Sequence, residues 1–194
     1  RENPGHARDV RDTPRLLGAM DADSLTVAER FWRRITGQLV PVASPEIAEC
    51  AKLLENSYRL VNIALMGELH AAFTALGVPT GDIVRAAATK PFGFQPFWPG
   101  LGAGGHCIPV DPAYLQMAAR EAGAGSPLLE AALRSNGARA EAVAARIVAR
   151  FGGRLDGARI LVAGVCYKPG VADTRCSAAV RLARLLAARG AVVA

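Results

Sequence analysis

The residues best placed to do chemistry in this sequence surround a cysteine in a glycine-rich turn. Cys107 closes the run Gly100-Leu101-Gly102-Ala103-Gly104-Gly105-His106-Cys107, and Asp111 follows four residues on. A thiol at a glycine-lined turn is positioned as a nucleophile; the competing reading is a small core residue, the role expected of Cys50 and Cys166. His106 is adjacent, but neighbours in extended chain point to opposite sides, so the sequence licenses no Cys-His dyad. Upstream, Lys52 and Asn56 are four residues apart in a helical pattern and share one face. Two donors on one rigid face suit a developing oxyanion; the alternative is an exposed lysine and asparagine. Gly100-x-Gly102-x-x-Gly105 has the letters of a dinucleotide fingerprint without its context, because Trp98-Pro99 precede it and Pro109 and Pro112 follow, where a strand and a helix are required. Its glycines serve either the close approach of backbone to an anionic or sugar ligand or a bare surface loop.

The elements that must position these groups are readable in outline. Ser44-Pro45-Glu46 is a helix start: a capping hydroxyl, proline at the first helical position and a carboxylate against the dipole. Apolar residues then recur every three or four positions from Ile47 to Leu76, a helix long enough to be shared between two domains or two subunits. Ahead of it, the apolar run at Leu16-Leu17, a helix capped near Asp23-Ser24 and a strand at Leu39–Val42 read as the end of an α/β domain. A helix over Asp82–Thr89 leads into residues 91–112, too rich in proline and glycine for regular structure. Long irregular segments inside compact domains are usually functional. Helices resume at Tyr114–Glu121 and Leu128–Phe151. The strand run Arg159–Val165, a helix over Ser177–Arg189 and a strand after Gly190 form a β-α-β unit, which predicts a parallel sheet.

Composition bounds the rest. The 194 residues are 51% hydrophobic and 21% charged, a balance that builds a soluble globular core and excludes a disordered tail, a repeat array or a fibre. The net charge of +6 comes from arginines spread singly along helices, which reads as solvated faces and argues against nucleic acid. The four cysteines form no C-x-x-C pair and share no metal spacing with the three histidines, so no metal is expected. With no signal segment and no membrane-length apolar run, the expected location is the cytoplasm, with the cysteines as thiols. Arg1 in place of Met, and a last strand barely begun at Ala191–Ala194, suggest a piece of a longer protein.

Three motifs occur in order: Lys52-Leu53-Leu54-Glu55-Asn56-Ser57 and its helical continuation; Lys90-Pro91-Phe92-Gly93-Phe94 running on to Gly104-Gly105-His106-Cys107-Ile108-Pro109-Val110-Asp111-Pro112; and Lys168 through Asp173-Thr174-Arg175. Together they resemble the UDP-glucose/GDP-mannose dehydrogenase family, and the Gly-Gly-His-Cys form resembles its branch acting on UDP-N-acetylhexosamines. The resemblance implies an α/β chain with a central all-helical domain: 1–44 as the end of an NAD-binding Rossmann domain, 45–155 as the helical dimerisation domain, and 156–194 as the start of a Rossmann-like UDP-binding domain. A homodimer through the 45–77 helix follows from the same resemblance and from the length of that helix.

The activity implied is oxidation of a sugar C6 alcohol to a carboxylate with NAD, in two steps. By resemblance, Cys107 attacks the intermediate aldehyde, Lys52 and Asn56 stabilise oxyanions, and Asp111 acts during hydrolysis. Phe97, Trp98, Gly100, Gly102, Gly104 and Gly105 would line the UDP-sugar substrate, Tyr167 and Lys168 would contact it, and Arg175 would reach the cofactor. Against the resembled family, Lys90-Pro91 stand where the UDP-glucose branch usually has an arginine, Cys176 replaces an acid, Pro169-Gly170 replace a more polar pair, and Gly67 stands where asparagine is usual and costs a helix about 1 kcal/mol relative to alanine. Alternatives are an inactive dimerisation module of the same family, a UDP-glucose 6-dehydrogenase, and a cysteine acyl-transfer enzyme working without NAD.

Overall fold

The structure, a computed structural model, describes residues 10–166 and 170–194. By packing, the described residues divide into two compact units, 10–55 with 170–171 and 56–166 with 172–194.

In the first unit, a 3-10 turn at Val10–Asp12 precedes β1 (Arg15–Leu17), α1 (Ala22–Trp32) and β2 (Leu39–Pro41). β1 and β2 pair in parallel with Arg15 opposite Leu39 and Leu17 opposite Pro41. Parallel neighbours cannot be joined by a tight turn, and α1 is the crossover. Its cap is Asp21, two residues before the predicted site: Asp21 Oδ1 accepts the Ser24 N–H at 2.7 Å and Oδ2 accepts the Ser24 hydroxyl at 3.0 Å. Those bonds hold the Asp21 carboxyl below its ordinary range. The first stretch of α2 (Pro45–Ala75) completes this unit, starting at the proline as the sequence predicts. Cys50 lies on it exposed, which corrects its assignment to a core.

The second unit holds α2 from Asn56 onward, α3 (Thr80–Ala87), α4 (Asp111–Glu121), α5 (Pro127–Arg150), β3 (Arg159–Ile160), α6 (Ala178–Ala187) and β4 (Val192–Val193). β3 and β4 are parallel around α6, as the β-α-β reading requires, although β3 covers only two residues of the predicted run. Cys166, just past that run, is also exposed rather than a core residue.

Two buried clusters hold the unit together. Leu60 and Ala64 of α2 meet Leu129 and Ala132 of α5, while Ala144 of α5 meets Leu155, Leu182, Leu186 and Ala191. Along α5, Ala132, Ala140 and Ala144 are buried at helical spacing, and their small side chains let neighbouring backbones approach. Each fully buried leucine contributes about 1.5–3 kcal/mol by leaving water. The segment predicted irregular, 91–112, is irregular as far as Val110, but α4 starts at Asp111 with Pro112 in its first turn. Proline breaks a helix interior; in the first turn its missing N–H has no partner to lose. No described helix is long and apolar enough to cross a membrane.

Candidate active site

The start of α4 joins three of the predicted residues. The Cys107 carbonyl accepts the Val110 N–H at 3.2 Å and the Asp111 N–H at 2.8 Å, so the thiol-bearing residue forms the turn that launches the helix. Asp111 is the first helical residue, where a carboxylate is favoured by the dipole. Its Oδ2 accepts a 2.5 Å hydrogen bond from Asn56 Nδ2. Asn56 is 1% exposed, so this amide is committed inside the fold rather than solvated. Cys107 is a half-buried thiol, and His106 beside it is exposed. Lys52 is exposed on the part of α2 that belongs to the first unit. The structure thus brings together Asn56, Asp111 and the Cys107 backbone.

The glycine loop before Cys107 is pinned at several points. Leu101 packs on the second cluster, and Ala103 and Ile108 on the first. Asn136 of α5 clamps Ala103 in both directions: its Oδ1 accepts the Ala103 N–H at 2.6 Å and its Nδ2 donates to the Ala103 carbonyl at 3.3 Å. Gly102 has φ +109°, and a Cβ there would stand 2.9 Å from Asn136 Oδ1, so conformation and crowding both demand glycine. Gly105, at φ +81°, donates its N–H to the Arg175 carbonyl at 3.0 Å. At Gly100 a Cβ would meet nothing within 4 Å, and Gly104 is half-buried. Ahead of the loop, the Phe97 ring meets Tyr58 of α2 edge to face with centroids 6.0 Å apart, while Trp98 is exposed.

Arg175 enters the site through its backbone. Its guanidinium is forked onto Asp173, with Nε to Oδ1 at 2.9 Å and Nη2 to Oδ2 at 2.5 Å. Tyr167 and Lys168 lie outside the described residues. Among the described residues no three or more His, Cys, Asp or Glu side chains cluster as a metal site.

Clefts open beside the loop among the described residues. One of about 720 Å³ is lined by His70, Pro99, Gly100 and three arginines of α5, Arg139, Arg146 and Arg150. His70 Nδ1 lies 2.9 Å from the Thr80 hydroxyl; burial pushes its pKa below the ordinary imidazole value, and the charges of Arg146 and Arg139 push the same way. Another cleft, about 510 Å³, lies between Ala103, Pro109 and Asn136 and the start of α6, with Arg181 and Arg184 on its wall.

Asn136 and Arg139 are the positions that sequence reasoning missed. The signal was present: Asn136 sits four residues from both Ala132 and Ala140, on the buried stripe of α5, where an asparagine must have a partner.

Residues 46–138 match the central domain of the UDP-glucose/GDP-mannose dehydrogenase family. Over 192 residues, 96% of its length, the chain is 34% identical to a UDP-N-acetyl-D-glucosamine 6-dehydrogenase of Pseudomonas aeruginosa, of which it covers 45%. It is 32% identical over 176 residues to a UDP-N-acetyl-D-mannosamine dehydrogenase of Pyrococcus horikoshii, covering 89% of this chain and 41% of that protein. Among solved structures it resembles a UDP-glucose dehydrogenase from Pyrobaculum islandicum, with TM-score 0.82, 28% identity, 92% of this chain and 41% of that one. The chain spans less than half the length of these relatives. The Cys107 loop, Asn56 and Asp111 fall within the matched stretch, and over it the chain resembles the UDP-glucose/GDP-mannose dehydrogenase family.

Proposed function

We propose that this chain carries the covalent centre of a nucleotide-sugar 6-dehydrogenase that converts the C6 alcohol of a UDP-N-acetylhexosamine to a uronic acid, a precursor of polysaccharide. The observation that carries the reading is the convergence of Cys107, Asp111 and buried Asn56 at the start of α4, beside a loop held by Asn136. The names of the relatives favour an N-acetylated sugar, and the UDP-glucose dehydrogenase neighbour keeps UDP-glucose as the second substrate to test.

In this reading the Cys107 thiolate adds to the C6 aldehyde, forming a carbon–sulfur bond while the carbonyl oxygen takes up negative charge. Lys52 and the second N–H of the Asn56 amide, one helical turn apart in sequence, are the donors to that oxygen. Oxidation of the resulting thiohemiacetal by a hydride acceptor held by the full protein gives a thioester; Asp111 accepts a proton from the water that attacks it and returns that proton to the departing Cys107 thiolate as the acid is released. Asp111 needs a fixed orientation for this, which the Asn56 bond provides. The loop from Phe97 to Gly105 lines the sugar nucleotide, with Tyr167 and Lys168 as further contacts and Arg175 toward the cofactor.

The resemblance implies NAD as the acceptor of both hydrides. Among the described residues no strand runs through a Gly-x-Gly-x-x-Gly turn into a helix, so none of them fits its pyrophosphate, and the steps above concern carbonyl chemistry alone. The parallel pairs β1-β2 and β3-β4, each with a helical crossover, support assigning 1–44 and 156–194 to Rossmann-like domains flanking a helical domain at 45–155. A homodimer through the long helix is supported by the exposure of Ile47 and Leu54 in its first stretch and of Tyr58 and Leu65 in its second. Following NADH absorbance with the full polypeptide, UDP-N-acetylglucosamine and UDP-glucose tests the activity. Turnover of neither sugar overturns it, and preference for UDP-glucose replaces the substrate.

A further inference from the structure

We infer that Arg139 is a positioning residue for the entrance of the glycine loop, and that Gly67 is the recess that admits it. This rests on the proposed function only in supposing that the loop holds a UDP-sugar. Arg139 Nε donates to the Gly100 carbonyl at 2.9 Å and Nη1 donates to the Gly67 carbonyl at 2.9 Å. One planar guanidinium therefore ties the first glycine of the loop to the buried flank of α2. The fork is rigid and charged, which makes each bond stronger than a neutral one and fixes the carbonyls' separation.

The recess is visible at Gly67. A Cβ there would lie 3.4 Å from Arg139 Nε and 3.6 Å from its Cδ and Cζ, ordinary contact, but any longer side chain would occupy the space of the guanidinium stem. A glycine that weakens the helix by itself is thereby given a use: the arginine lies across the helix and reaches its carbonyl, whose second lone pair is open to it beside the helical bond. Burial, then the charge of Arg146, lowers the basicity of Arg139, so holding it there has a cost that its two carbonyl partners offset. Asn136 fixes Ala103, three residues on, from the preceding turn of the same helix. Arg139 holds the entrance of the loop and Asn136 its middle.

The test uses the full polypeptide and four variants: Arg139→Ala, Arg139→Lys, Gly67→Leu and Gly67→Ala. With UDP-N-acetylglucosamine, Arg139→Ala raises KM about ten-fold and leaves kcat within about three-fold, since a loosened binding loop loses ground-state and transition-state contacts alike. Millimolar methylguanidinium restores KM in Arg139→Ala, which a merely structural defect does not allow. Arg139→Lys, able to satisfy one carbonyl at a time, falls between. Gly67→Leu favours the helix yet evicts the guanidinium, so it reproduces Arg139→Ala, while Gly67→Ala behaves as wild type. Amide exchange at Leu101–Gly105 is measured in parallel and rises in Arg139→Ala and Gly67→Leu. Unchanged KM and unchanged loop exchange in both of those variants overturn the inference. Should the wild type oxidise no UDP-sugar, the proposed function fails and the exchange arm alone decides: faster loop exchange supports the positioning role, and unaltered exchange removes it.

Discussion

Gly102→Ala separates a glycine needed by the fold from a glycine kept for a ligand. Two costs can be worked out. The backbone at φ +109° is one that side-chain-bearing residues rarely adopt, which costs roughly 1–3 kcal/mol. The new Cβ would stand 2.9 Å from Asn136 Oδ1, so the amide must withdraw from Ala103. Its two hydrogen bonds, at 2.6 and 3.3 Å, are then lost, at about 1 kcal/mol each. The single variant should therefore lose about 3–5 kcal/mol. Asn136→Ala alone should lose about 2 kcal/mol, and the double variant should fall short of the sum of the singles by about 2 kcal/mol, because the clamp can be lost only once. Urea unfolding of all four proteins measures the cycle, and exchange of the Ala103 amide shows whether the loss is in the loop. Costs that add within about 0.5 kcal/mol would show that Gly102 and Asn136 act independently, and the crowding argument would fail.

Among the described residues the buried Ser57 hydroxyl has no hydrogen-bond partner, so Ser57→Ala should raise stability by about 1 kcal/mol in the same urea assay. For His70 the folded pKa is depressed, so the unfolded chain binds more protons below about pH 6.5, and stability should fall as pH drops from that value through the folded pKa. Unfolding midpoints between about pH 7.5 and pH 5 should show this fall in the wild type and a smaller one in His70→Gln, which keeps a polar partner for Thr80.

Local signals carried much of the architecture. Pro45 with Ser44 before it and Glu46 after it marks the start of α2 because three independent effects coincide there. The two parallel strand pairs followed from strand-helix-strand order, since a parallel pair needs a crossover. Pro112 misled the reading of α4 because a proline is a breaker or a starter according to its place in the helix, and place is fixed by the Cys107 turn. Cys50 and Cys166 were assigned to the interior on residue type alone, and side-chain size says nothing about which face of α2 or which end of β3 is covered. Within the site, Asn56 and Asp111 were each legible, but their contact spans 55 positions in the chain and depends on how α2 meets α4. Asn136 was legible only through its place on the buried alanine stripe of α5, and Arg139 through no local signal: polar residues on a helix are usually solvated, and the carbonyls Arg139 reaches, Gly100 and Gly67, are distant in sequence.

The central claim is that Cys107 bonds covalently to the oxidised sugar carbon, and the direct measurement is mass spectrometry of acid-quenched full polypeptide after mixing with UDP-N-acetylglucosamine and NAD. The peptide containing Cys107 should carry the nucleotide-sugar acyl group, and Asp111→Asn, in which thioester hydrolysis slows, should accumulate it. Cys107→Ser should carry none and sustain no NADH turnover beyond the first oxidation, while binding the UDP-sugar within a few-fold of wild type by calorimetry, because an alcohol is a far weaker nucleophile than a thiol at neutral pH. Undiminished NADH turnover by Cys107→Ser, or an adduct mapped to another residue, would contradict the account.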